Sequence, residues 1–395
     1  MSGASISKSY LTNSVVGVVG GGQLAQMLVE AAFKRDIDII VQAESQDDPA
    51  AVKANRIVLA ETEDAFGTSQ LLKDCSCVTF ENEWVNIDAL TKLESQEGRF
   101  IPSLNALKPL INKISQRQLL DDLGIPGPDW IQLSSNQLGP SKLPSGWNFP
   151  LMAKSGSGGY DGKGTRVLKN FSDLSRLLAS VDPNDWLLET WVPYEKELAL
   201  VASRDLEGRV RAFPLVETSQ FQQVCDWVIA PAEVSHPITA MAYNIAASLL
   251  TELSYVGVIA IELFYGSKGL LVNEVAPRTH NSAHFSIEAC NSSQFDQQLC
   301  IAAGIPVPDP KLIVPGALMV NLLGLPEETS APLEERLSCL KNIERAYLHW
   351  YEKDKEIPGR KLGHVTLLLY EENPFKRRDE ALRGLERIRS IWPMN

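Results

Sequence analysis

Two glutamates in apolar runs are the first residues whose placement implies chemistry: Glu262 in VIAIELF and Glu274 in LLVNEVAP. An ionised carboxylate in such a run needs a compensating charge. A Gly-Ser-Lys-Gly turn separates the two runs, so a hairpin would bring both carboxylates together, with Asn273 beside them. That makes an oxygen-rich site suited to Mg2+ bridging phosphates. The same pattern also fits glutamates that alternate outward into solvent, or that pair with Arg278. Directly afterwards, APRTHNSAHF crowds Arg278, His280, Asn281, Ser282 and His284 into one polar loop, in a chain with only five histidines. Such a cluster can bind an anion and offer donors to developing charge. A capped loop with incidental polar residues is the plainer account, and no third His or Cys stands nearby at zinc-ligand spacing.

Two further loops carry charge among glycines. In IPGRKLGH, Arg360 and Lys361 lie between Gly359 and Gly363, where charge and backbone N–H groups could grip a phosphate; a solvated basic turn is the alternative. In KSGSGGYDGKGTRVL, Lys154 ends an apolar strand and glycines follow. No Ser or Thr succeeds the second lysine and no helix signal follows, so this is not a Walker-type loop. A glycine loop between two antiparallel strands instead predicts a flap that closes over a ligand. Glu189, ending the run DWLLET, and Glu197 beyond it are placed to read the ribose and base of a nucleotide, or else are ordinary exposed charges.

The elements that must hold these residues alternate. VVGVVGGGQLAQMLVEAAFKR reads as strand, glycine turn and helix, and IDIIVQAE as a second strand ending in Glu44. NRIVLA, CSCVTFE and RFIPS read as further strands, giving a parallel sheet covered by helices in a first domain ending near residue 108. Gly20, Gly21 and Gly22 with Glu44 leave open a dinucleotide-binding domain or a tight turn without ligand. From 113 to about 190 the pattern predicts a small α+β unit of helix, strand, glycine hairpin, strand, helix and strand, with Ser172 capping its second helix. Helices are expected at 236–253, 285–303 and 379–390, and strands at RVRAFPLVET, GALMVNLLG, AYLHWY and HVTLLLY.

The formal net charge of −12 argues against a nucleic-acid-binding surface. No apolar run approaches the roughly 18–20 residues of a membrane span, and the polar start has no secretory pattern. The six cysteines lack metal or redox spacing and read as buried reduced thiols. A cytoplasmic protein is expected.

The order of glycine-rich first domain, lysine, glycine flap, acid-ended strand, Glu…Asn-Glu pair and basic tail loop resembles the ATP-grasp superfamily, whose members activate a carboxylate as an acyl phosphate. Within it, GVVGGGQLAQM, VTFENE, SGGYDGKG, VGVIAIELF, LLVNEVAPRTHNSAHF, SQFDQQLCIAAGIP and LHWYEKDKEIPGRKLGH are similar to the N5-carboxyaminoimidazole ribonucleotide synthase family, over nearly the whole chain. The resemblance implies an α/β and α+β ATP-grasp fold: a Rossmann-like domain at 1–108, a lid domain with the flap at 109–190, and a C-terminal domain at 191–395 with a small subdomain from about 312. It implies an ATP site of Lys113, Lys154, Gly159, Tyr160, Asp161, Gly162, Lys163, Gly164, Thr165, Glu189, Thr190, Trp191, Val192, Glu197, Gln220, Asn273 and Glu274. Mg2+ would sit on Glu262 and Glu274. Gln23, Asp161, Lys163, Asn281, Ser282, Arg360 and Lys361 would face aminoimidazole ribonucleotide. Arg278 and His280 would lie near bicarbonate and its phosphorylated product, and Asp161 would orient or deprotonate the amine. A homodimer with a functional link to the downstream mutase is implied as well. The chain departs from the family at Ala25-Gln26, Lys113, Gln220 and Ala283, which bears on single contacts. Another grasp ligase, such as a formate-using ribonucleotide transformylase, is the nearest rival. A nicotinamide-dependent oxidoreductase would leave the flap and tail loop unexplained.

Overall fold

The computed structural model describes residues 14–94, 99–159, 164–326, 331–353 and 355–394. β-Branched runs alternating with amphipathic ones build its first unit: β1 (Val15–Val19), α1 (Gln23–Lys34), β2 (Asp38–Ala43), β3 (Arg56–Leu59), α2 (Ala65–Asp74), β4 (Cys77–Phe80), α3 (Ile87–Glu94) and α4 (Leu104–Leu107). The strands pair in parallel in the order β3-β2-β1-β4. β1 and β4 are buried almost throughout, as strands covered on both faces must be. The chain runs outward in opposite directions from β1, so a crevice opens at the carboxyl ends of β1 and β4. The strand expected at RFIPS shrinks to one bridge between Val78 and Phe100, because Pro102 has no N–H to extend a ladder.

The second unit holds α5 (Lys113–Asp122), β5 (Trp130–Gln132), β6 (Leu151–Ser155), β7 (Thr165–Leu168), α6 (Phe171–Ser180) and β8 (Trp186–Thr190). Its antiparallel sheet runs β5-β8-β6-β7, and Lys154 sits opposite Thr165 at the base of the glycine hairpin. Asn170, not Ser172, caps α6 by accepting the Asp173 N–H at 3.0 Å.

The third unit contains β9 (Lys196–Arg204), β10 (Val210–Ala212), β11 (Val216–Phe221), β12 (Val224–Ala230), α7 (His236–Glu252), β13 (Gly257–Gly266), β14 (Gly269–Ala276), α8 (Ser286–Ala289), α9 (Gln294–Ala303), β15 (Gly316–Leu323), α10 (Leu333–Lys341), β16 (Ala346–Trp350), β17 (Lys361–Leu369) and α11 (Pro374–Ile391). One antiparallel sheet runs β14-β13-β9-β11-β12-β15-β17-β16, with β10 beside β9. RVRAFPLVET is therefore two strands, since Pro214 breaks the ladder. The helical stretch expected at 285–303 is likewise two helices; Ser293 starts the second with a capping box on Asp296. α11 starts at Pro374, earlier than 379, because Asn373 caps it through Phe375 and Lys376. α9 packs Phe295 and Leu299 into the same core as Ala25 and Leu28 of α1, tying the first unit to the third. All six cysteines are free. Cys339 is exposed and Cys75 half-buried, against the expectation of uniformly buried thiols. Among the described residues no helix is long and apolar enough to cross a membrane.

Candidate active site

The β13–β14 hairpin sets Glu262 directly opposite Glu274, and a register shift after Glu262 re-aims the following side chains. Neither carboxylate is left to solvent alone. Lys113, at the first turn of α5, is ion-paired with Glu274. Asn273 donates from Nδ2 to Glu262 Oε2 at 3.2 Å and accepts from Lys154 Nζ at 2.9 Å through its Oδ1. His280 Nε2 lies 3.6 Å from Glu262 Oε1. Burial and the neighbouring Glu274 push the Glu262 carboxyl upward. Burial would raise Glu274 too, but Lys113 and Lys154 outweigh it and hold that carboxyl low. The pair splits its titration as two carboxylates sharing one site do. Arg278 pairs elsewhere, with Glu83 at 2.5 Å.

Beneath the pair lies an ionic row. Glu189, next to last in β8, is 2% exposed and sits between Arg117 Nε at 2.6 Å and Lys154 Nζ at 2.8 Å. Burial opposes its ionisation, yet the two cations keep it below the usual carboxylate range. Arg117 also donates to the carbonyls of Val272 at 2.7 Å and Asn273 at 2.6 Å. Gln116 brackets Val275, accepting its N–H and donating to its carbonyl, both at 2.8 Å. Sequence reasoning missed Arg117; its signal is a cation one helical turn after Lys113, on the face of α5 that also buries Gln116 and Leu120. Burial lowers the Lys154 ammonium, although Glu189 supports its charge.

The glycine loop after β1 serves an internal anion. Glu81, following β4, accepts N–H bonds from Gly22 at 2.7 Å and Leu24 at 3.1 Å, at the amino end of α1. A Cβ on Gly22 would fall 2.4 Å from Glu81 Oε1, so glycine is needed for this approach. The helix terminus that a dinucleotide's pyrophosphate would occupy is thus filled by the protein's own carboxylate. Gln23 is half-buried and accepts from Lys353 Nζ at 2.7 Å; Lys353 also donates to the Lys361 carbonyl at 2.7 Å. Lys353 was not singled out from sequence, and it links the first glycine loop to the basic tail loop. Arg360 is exposed and Lys361 half-buried at the start of β17.

The His-Asn-Ser loop turns much of its chemistry inward. Asn281 and Ser282 are buried; Asn281 exchanges amide bonds with Asn321, and Ser282 Oγ meets His280 Nδ1 at 2.9 Å. On the opposite side, Thr190 is half-buried at the end of β8, Trp191 is exposed and Val192 half-buried. Glu197 is bonded by Tyr194 and Gln220, and burial raises its carboxyl. Tyr194 stacks on Phe264 at 4.8 Å. Gly159 and Gly164 flank the flap, and Thr165 donates to Gln223. Tyr160, Asp161, Gly162 and Lys163 lie outside the described residues.

The donor set fits a hard cation. Two carboxylates meet across the hairpin, the Asn273 amide bridges Glu262 to Lys154, and lysine ammonium groups are the counter-charges there; among the described residues no cluster of three His, Cys, Asp or Glu supplies a complete metal cage. Mg2+ held by one or two carboxylates takes its remaining oxygens from phosphates and water.

The hairpin glutamates, the two lysines and the antiparallel β6–β7 pair define an ATP-grasp protein: the ATP-grasp domain family matches residues 118–295. The ribonucleotide synthetase preATP-grasp domain matches 14–110, and the phosphoribosylaminoimidazole carboxylase C-terminal domain matches 317–378. The N5-carboxyaminoimidazole ribonucleotide synthase of Synechococcus elongatus is 43% identical, over 96% of this chain and 95% of that protein. A carboxyaminoimidazole ribonucleotide synthase from Aspergillus clavatus, solved with ATP, superposes with a TM-score of 0.85 at 30% identity, covering 96% of this chain and 99% of that one. The same organism's enzyme with ADP and 5-aminoimidazole ribonucleotide gives 0.83 at 29%, covering 95% and 99%. The chain belongs to the N5-carboxyaminoimidazole ribonucleotide synthase family.

Proposed function

We propose that this protein is an ADP-forming ligase that carboxylates 5-aminoimidazole ribonucleotide on its exocyclic amine, using ATP and bicarbonate. The observation that carries the reading is the convergence of Glu262, Asn273 and Glu274 with Lys113, Lys154 and His280 at one spot. Bicarbonate is a poor electrophile. Its oxygen first attacks the γ-phosphorus of ATP, ADP leaves, and carboxyphosphate remains. The amine then takes the carboxyl carbon, directly or as released CO2, and phosphate departs with one bicarbonate oxygen.

In this reading, Glu262 and Glu274 would hold Mg2+, which would supply positive charge toward the transferring phosphoryl group. Lys113 and Lys154 exchange their carboxylate partners for phosphate oxygens when nucleotide enters. Glu197, with Tyr194 and Gln220, receives the ribose hydroxyls, and Trp191 and Val192 face the base. Arg278 and His280 hold the carboxyphosphate, while Gln23, Lys353, Arg360 and Lys361 hold the ribonucleotide. The flap, Gly159–Thr165, excludes water from the acyl phosphate, with Asp161 on the amine.

The test is label transfer. Bicarbonate enriched in heavy oxygen should pass one labelled atom to each phosphate released, and the product should carry carbon from bicarbonate. Unlabelled phosphate, or turnover with formate in place of bicarbonate, would point to the rival ligase.

A further inference from the structure

We propose that Asn321, His364 and His349 are positioning residues for the carboxylation step, holding the ribonucleotide loop and the Arg278–His280 loop in register. This rests on the function proposed above. The three are cross-strand neighbours on β15, β17 and β16: Asn321 opposes His364, and His364 opposes His349. Their side chains therefore share one face of the sheet. Asn281, His284 and Glu288 meet that face from the segment after His280, at near-helical spacing.

The amide rung and the His349–Glu288 rung are hydrogen-bonded, whereas His284 and His364 meet ring against ring, each with its Nε2 buried and without a hydrogen-bond partner among the described residues. Asn281 Nδ2 donates to Asn321 Oδ1 at 3.0 Å, and Asn321 Nδ2 donates to Asn281 Oδ1 at 2.7 Å and to the Cys225 carbonyl at 2.7 Å. The rings of His284 and His364 lie 4.9 Å apart, and His364 stacks on His349 at 4.4 Å. His349 Nε2 meets Glu288 Oε1 at 2.7 Å. Asn321, His284 and His364 are fully buried. A purely apolar contact here could slide and still be filled. The doubly bonded Asn281–Asn321 amides and the His349–Glu288 bond accept one register, because any shift leaves these polar groups without partners.

The two ends of the ladder lead to the two substrates. β17 opens with Lys361, and Tyr351, whose hydroxyl meets His364 Nδ1 at 2.7 Å, precedes Lys353. At the other end Asn281 adjoins His280. Gln294, at the start of α9, bonds the His280 backbone both ways at 2.7 Å and reaches His284 Nδ1 at 3.1 Å, which prevents the loop from adjusting alone. The distance between amine and carboxyl carbon is thus set from below the cleft, by side chains remote from the nucleotide.

Asn321→Leu, near-isosteric and apolar, should raise the ribonucleotide KM about tenfold and lower kcat, since misplacement of reactants is costly. The ATP KM should stay within about twofold. Asn281→Leu should match it, and the double variant should be no worse than either single, because both remove one coupled interaction. Should Asn321→Leu not fold, His349→Phe, which keeps the stack and loses the Glu288 bond, should still raise ribonucleotide KM about threefold. An unchanged ribonucleotide KM, equal losses for ATP and ribonucleotide, or additive singles would overturn the proposal. Wild-type protein that releases no ADP with ribonucleotide and bicarbonate would sink the functional reading and the ladder with it.

Discussion

Replacing Arg117 by Met removes three buried interactions at once: the pair with Glu189 and the bonds to the Val272 and Asn273 carbonyls. Glu189 keeps Lys154, while the two carbonyls lose their donor. Breaking a buried ion pair from one side costs about 3–5 kcal/mol, and each orphaned buried carbonyl about 1–3 kcal/mol. The three bonds share one guanidinium, so the terms do not simply add; about 4 kcal/mol is expected for the whole change. Because the loss falls between β8 and β14, it should show as local opening: amide exchange there should accelerate about a thousandfold, at about 1.4 kcal/mol per decade. Arg117→Lys, which keeps charge but not the planar fork, should fall between. ATP turnover should drop with it, since Asn273 and Glu274 lose the bond that sets their strand. Exchange raised less than about tenfold, with turnover intact, would refute the view that Arg117 organises the site.

Glu274→Gln should reduce ADP release below about one-hundredth of wild type while leaving circular dichroism unchanged, because a hard-cation carboxylate is lost. Lys361→Ala should raise the ribonucleotide KM about tenfold and spare the ATP KM. Gly22→Ala should displace Glu81 and lower stability by about 1–2 kcal/mol, the scale of a lost helix cap, read from the urea midpoint. Burial opposes ionisation of Asp205, but Arg211 and Arg209 outweigh it and hold its carboxyl at about 2. Its contribution is therefore fully present above the unfolded carboxylate range and is lost as pH falls toward about 2; Asp205→Asn should flatten that acid limb of a stability–pH curve.

The β13–β14 hairpin was legible because two apolar runs around a glycine turn admit few arrangements, and a glutamate in each stands out against them. The parallel first sheet and the glycine hairpin were legible for the same reason. Arg117 was not, since an arginine in an amphipathic helix ordinarily points to water and only its burial under β14 reveals otherwise. The loop at Gly20–Gly22 read either as a place for a ligand's phosphate or as a tight turn without ligand; its anion is Glu81, brought from β4 by sheet pairing. The inward turn of Asn281 and His284 depends on Asn321 and His364, distant residues whose approach no local pattern announces. β12 escaped notice because Asp226 interrupts its apolar run, its charge answered by Arg389 of α11.

The most direct measurement is ADP release by purified protein with Mg2+ and ATP, with bicarbonate and aminoimidazole ribonucleotide supplied separately and together. Turnover that requires both is the predicted result. ATP bound but not hydrolysed under any of these conditions, or hydrolysis indifferent to bicarbonate, would contradict the account.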